Sequence, residues 1–164
     1  MAKITIEDAA SAVMTHKVIS VLPGDTIQTI AAVLCKHAIS AAPVVDAAGK
    51  LLGMVSEGDL MRSFGAAHTL RRSWWLELLA EGENLAPDFL EYVRADKRIA
   101  RDVMTKTLVT AHASDTIGEI ADLLSQHKIK RVPILQDGKM VGIVSRADVV
   151  RVLAQTPQPT LQPA

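Results

Sequence analysis

Several things are scarce in this chain, and each scarcity narrows what it can be. Of 164 residues only one is cysteine, Cys35. That excludes an intramolecular disulfide, offers no thiolate cluster for zinc, and fits a reducing compartment. Charge of one sign is not in excess: 18 Lys and Arg balance 18 Asp and Glu. No overall basic surplus therefore points to nucleic acid. Long apolar runs are missing too. Glu7 and Asp8 interrupt the N-terminal segment, so no signal peptide is expected. Nowhere does an uninterrupted apolar stretch approach the roughly 20 residues needed to cross a bilayer. The expected setting is the cytoplasm, with no membrane partner. No P-loop, dinucleotide fingerprint, nucleophile–base constellation or metal-ligand spacing appears, so no catalysis and no metal site is expected. Aromatic residues are 3% of the chain, and all five lie between Phe64 and Tyr92.

What is present is repetition. Val13-Met14-Thr15 recurs as Val103-Met104-Thr105, and Asp25-Thr26-Ile27 as Asp115-Thr116-Ile117, both 90 residues on. His37 and Pro43 recur as His127 and Pro133 at the same shift. With one residue fewer in an intervening turn, Gly53, Ser56 and Asp59 recur as Gly142, Ser145 and Asp148. A tandem repeat with an insert accounts for so many identities in register.

Both copies read alike. A Val-Met-Thr segment leads to a β-type run, Val18–Val21 or Leu108–Thr110. Thr26 and Thr116 then supply helix-start chemistry, with Ile27, Ile30, Ala31 and Leu34 (Ile117, Ile120, Ala121 and Leu124) following at helical spacing. Two strands come next, 42–46 with 51–55 and 132–136 with 140–144. Asp137-Gly138 is a hairpin turn signal in the second copy. A further helix begins after each Ser, the last reaching about Leu153. The expected fold class is α+β: two β-α-β-β-α repeats, each too short to bury its sheet face alone, related by a pseudo-two-fold. Repeat 1 is expected over 7–65 and repeat 2 over 99–154. Between them, residues 66–98 read as a helical insert carrying Trp74-Trp75, and 155–164 as a disordered tail.

The Ser-x-x-Asp steps, Ser56 to Asp59 and Ser145 to Asp148, bear two compatible readings. One is a capping box, stabilising by about 1 kcal/mol. The other is a carboxylate near a helix start that takes a ligand. Gly53 and Gly142 mark places where a side chain would crowd either a neighbouring backbone or a ligand. His37 and His127 sit at helix ends, where a structural role suits them, and Cys35 reads as buried packing.

Taken in order, Val-Met-Thr, the His…Pro segment and Gly-x-Val-Ser-x-x-Asp, twice over, resemble a pair of CBS (cystathionine β-synthase) domains, a Bateman module. The resemblance implies adenosine-containing ligands (AMP, ADP, ATP or S-adenosylmethionine) in clefts between the repeats, with the Asp on the ribose. Magnesium is an optional companion, and no cofactor is tightly bound. On one side it implies Ser56 and Asp59 with Thr107, Leu108, Ile129, Lys130, Arg131 and Pro133. The opposite side joins Ser145, Arg146 and Asp148 to Val18, Ile19, Ile39, Ser40, Ala41 and Pro43. Lys130 and Arg131, where the first copy has Ser40 and Ala41, are expected to meet phosphates beside Asp59. The resemblance also implies a homodimer through helices and a regulatory role exerted on an effector protein. The competing reading is a structural or nucleic-acid-associated adaptor acting through the aromatic insert.

Overall fold

Two threonines start the long helices, and each does so with its own side chain. In the computed structural model, which describes residues 3–65 and 95–155, Thr26 caps α1 (Ile27–Lys36) by accepting from the Thr29 N–H. Thr116 caps α4 (Ile117–Gln126) in a full capping box, with Glu119 reaching back to the Thr116 N–H at 2.8 Å. Both helices stop alike. After the C-caps His37 and His127, Ala38 and Lys128 turn left-handed at φ 50° and 53°. The Ile39 N–H then donates to the Leu34 carbonyl (3.0 Å), and the Ile129 N–H to the Leu124 carbonyl (3.1 Å). This is a Schellman stop, with the isoleucine packing back on the helix it leaves.

Each stop delivers the chain into a hairpin. β1 (Ala41–Val45) pairs antiparallel with β2 (Leu51–Ser56), and β4 (Arg131–Gln136) with β5 (Lys139–Ser145). Asp137 and Gly138, at φ 50° and 76°, make the second turn as the sequence implies. Further helices follow, α2 (Glu57–Gly65) and α5 (Arg146–Gln155), with a short α3 (Ala100–Val103) between the repeats. The first strand of each repeat is more modest than expected. Repeat 1 keeps only a parallel bridge from Val21 to Val44, and repeat 2 has β3 (Ala111–His112), beyond Leu108–Thr110, parallel to β4. The mixed α+β class and the order of elements agree with the sequence reading.

The chain divides into two compact units, a continuous one over Ile19–Leu108 and a split one joining Met1–Val18 to Val109–Ala164. The first copy's Val-Met-Thr segment thus lies with the second copy's sheet, and the second copy's with the first. In the split unit Thr15 and Ile143 exchange backbone hydrogen bonds at 2.9 and 3.1 Å, and the Ala10 N–H donates to the Asp115 carbonyl at 2.7 Å. In the continuous unit Thr105 and Met54 exchange theirs at 2.8 and 3.0 Å, and the Ala100 N–H donates to the Asp25 carbonyl at 2.8 Å. Each leader covers one edge of a hairpin and the start of a helix. The glycines explain the fit. A Cβ on Gly142 would stand 2.5 Å from Met14 Sδ, and one on Gly53 would meet Met104 Sδ at 2.7 Å and the Thr105 carbonyl at 2.8 Å.

Each unit has an aliphatic core. Ile117, Ile120 and Leu124 of α4 and Val149 and Val152 of α5 close on Val132, Ile134 and Val144 of the sheet. The continuous unit repeats this with Ile27, Ile30, Leu34, Val44, Val55 and Leu60. Cys35 corrects the sequence reading: it is exposed. It falls one residue, about 100° of helix, beyond the buried stripe that ends at Leu34. Just before α3, Arg98 grips Asp96 with its Nε at 2.9 Å and Nη2 at 2.5 Å. Those bonds hold the Asp96 carboxyl below the usual carboxylate range against the opposing effect of burial. The Trp74-Trp75 segment (within 66–94) and the tail (156–164) lie outside the described residues. Among the described residues, no helix is long and apolar enough to cross a membrane.

Candidate functional site

The repeated Ser-x-x-Asp step sits where each hairpin's second strand becomes a helix. Ser56 ends β2 and Ser145 ends β5, so each Ser is the last residue before helical backbone. Asp59 Oδ2 accepts from both the Ser56 N–H and Oγ–H at 2.7 Å, while Ser56 Oγ accepts from the Asp59 N–H at 3.3 Å. The second copy is almost superposable in its numbers, 2.7, 2.7 and 3.4 Å about Ser145 and Asp148. Both carboxylates are buried, with side chains 5% and 7% exposed. The capping reading is thus realised in full, and negative charge in the first turn is favoured by the helix dipole.

The carboxylates have a further partner that the sequence reading missed. Arg62 donates to Asp59 Oδ1, and Arg151 Nη2 donates to Asp148 Oδ1 at 2.5 Å. Both arginines are largely exposed, 75% and 70% at the side chain. Their signal was in the sequence: an arginine follows each Asp by three residues, which puts it on the same helix face.

The Schellman stops bring the pre-Pro segments to the same place. The Glu57 N–H donates to the Ser40 carbonyl and the Arg146 N–H to the Lys130 carbonyl, both at 3.0 Å. Ala41 stands opposite Ser56, and Arg131 opposite Ser145, in the strand registers. Ile39, Ser40 and Ala41 therefore gather with Ser56 and Asp59 in the continuous unit. Ile129, Lys130 and Arg131 gather with Ser145, Arg146 and Asp148 in the split unit, whereas the sequence reading set Lys130 and Arg131 beside Asp59 and Ser40 and Ala41 with Asp148. Arg146 is further tied by its Nε to the Ile129 carbonyl at 2.8 Å.

The two clusters differ in charge. Lys130, Arg131 and Arg146 in the split unit correspond to Ser40, Ala41 and Glu57 in the other. Pro43 and Pro133 are buried, Val18, Ile19 and Leu108 half-buried, and Thr107 exposed. Thr107 and Leu108 belong to the continuous unit together with Ile19, and Val18 to the split one. His37 and His127 are exposed C-caps, as expected for a structural role. Among the described residues no group of His, Cys, Asp and Glu is arranged to hold a metal.

Known proteins share this fold. The family model for the CBS domain matches residues 7–66 and 100–155. The CBS domain of a CBS-domain-containing membrane protein from Sphaerobacter thermophilus is 33% identical, with a TM-score of 0.71 over 92% of this chain and 91% of that one. Two further structures, each 24% identical, share the fold. CBSX2, solved in complex with AMP, has a TM-score of 0.67 over 90% of this chain and 97% of its own; the protein is known from Arabidopsis thaliana. The CBS domain pair of protein MJ0100, in complex with 5′-methylthioadenosine and S-adenosyl-L-methionine, has a TM-score of 0.63 over 89% and 95%. With two matched segments that together span most of its length, this chain belongs to the CBS domain family.

Proposed function

We propose that this protein is a non-catalytic sensor that binds an adenosine-containing ligand at its two Ser-Asp helix starts. The observation that carries the reading is the pair of buried carboxylates, Asp59 and Asp148, held in the same geometry by Ser56 and Ser145. A preorganised carboxylate in the first turn of a helix suits a ribose diol next to a phosphate. The AMP and S-adenosyl-L-methionine complexes of the two fold neighbours support the ligand class. Binding favours one arrangement of the molecule over others, and that difference is what an effector protein reads. The sensor acts in the cytoplasm as a homodimer through its helices, and a triphosphate ligand arrives with magnesium.

Lys130 and Arg131 supply the phosphate contacts. Calorimetric titration of AMP and ATP into the Lys130→Ala/Arg131→Ala double variant checks this assignment. Affinity should fall at least tenfold for ATP, since charge-assisted bonds to phosphate contribute about 1.5–3 kcal/mol each. Unchanged affinity for both nucleotides would remove these residues from the site.

A further inference from the structure

Asp148 makes its contacts at both oxygens. Oδ2 accepts from the Ser145 N–H and Oγ–H, and Oδ1 accepts from Arg151. A carboxylate offers about four acceptor positions, and a vicinal diol fills two of them. With three taken, one resident donor must leave before a ribose can bind through both hydroxyls. The serine donors belong to the cap that starts α5 and are half-buried. Arg151 is 70% exposed and three residues along the helix, so it is the donor that can leave at least cost. The partners of Asp59 include the same three donors, with Arg62 in the exposed position.

We propose that Arg62 and Arg151 compete with the ribose diol for these carboxylates and thereby set the affinity of each site for ribonucleosides over sugars that lack the diol. This rests on the adenosyl reading above and adds a residue that tunes it. The arginines are not part of the cap, so removing them clears an acceptor position without disturbing the helix start.

The test compares adenosine with 2′,3′-dideoxyadenosine, uncharged ligands that take phosphate attraction out of the comparison. Calorimetry on the full chain is run for the parent and for Arg62→Met/Arg151→Met, with melting temperature as the check on folding. The variant should bind adenosine roughly three- to fivefold more tightly, the range left by an exposed ion pair, with dideoxyadenosine unchanged. Arg62→Lys/Arg151→Lys, which keeps the charge on a shorter reach, should fall between. Adenosine binding that is unchanged or weaker in the Met variant, or an equal gain for both ligands, overturns the competition. If neither protein binds adenosine or AMP, the adenosyl reading itself fails, a result distinct from binding without discrimination.

Discussion

At the scale of single residues, the two strand glycines make a direct comparison because their surroundings differ. At Gly53 an added Cβ would meet the Thr105 carbonyl at 2.8 Å, and that carbonyl accepts from the Met54 N–H. At Gly142 the nearest atoms all belong to the Met14 side chain, at 2.5, 2.8 and 3.2 Å. A flexible thioether can swing aside, whereas a paired backbone carbonyl cannot without losing its bond. Gly53→Ala should therefore destabilise by about 1–3 kcal/mol, and Gly142→Ala by less, read as denaturation midpoints. Equal losses would mean that the leader backbone gives way as easily as methionine does. The sequence showed that these glycines needed room, but not that a leader's methionine filled it, joined at Gly53 by a backbone carbonyl.

At the scale of elements, the helix stops do the positioning. Ala38 and Lys128 take left-handed backbone, and the turns they close aim Ile39-Ser40-Ala41 and Ile129-Lys130-Arg131 at the two Ser-Asp steps. Left-handed backbone costs a non-glycine residue about 1–2 kcal/mol, partly offset for glycine by its freer unfolded chain. Lys128→Gly should raise stability by about 0.5–1 kcal/mol in thermal unfolding, with Ala38→Gly behaving likewise. A loss instead would indicate that the side chain at 128 contributes packing that outweighs the strain. Starts and stops differ in how readable they are. Thr26, Thr116 and the Asp137-Gly138 turn are legible because their hydrogen bonds close within a few residues of sequence. The exchange of leaders is not, because Val13-Met14-Thr15 and Val103-Met104-Thr105 are identical. Identical segments carry no local mark of which sheet each will cover. Cys35 was misplaced for a simpler reason: one step along a helix separates the buried stripe from solvent.

For the molecule as a whole, the repeat built two helix starts of matching geometry and then differentiated them. Lys130, Arg131 and Arg146 lie in the segments that meet at the second, where the first has Ser40, Ala41 and Glu57. The carboxylates themselves were legible as candidate ligands from the repeated Ser-x-x-Asp spacing. Their arginine partners were marked only by the three-residue spacing, which reads as an ordinary solvated helix pair until the aspartate is known to be buried. Both carboxylates are proposed to hold an adenosine-containing ligand. Thermal unfolding of the full chain with AMP, ADP, ATP (with magnesium) and S-adenosylmethionine tests it, run beside Asp59→Ala/Asp148→Ala and compared with each protein's own ligand-free melting temperature. A ligand that binds the native state stabilises it by about 2.7 kcal/mol at a hundred times its Kd. The parent protein should melt several degrees higher with at least one of these ligands, and the double variant should show no such rise. An equal rise in both proteins, or none in the parent with any ligand, would contradict that role for the carboxylates.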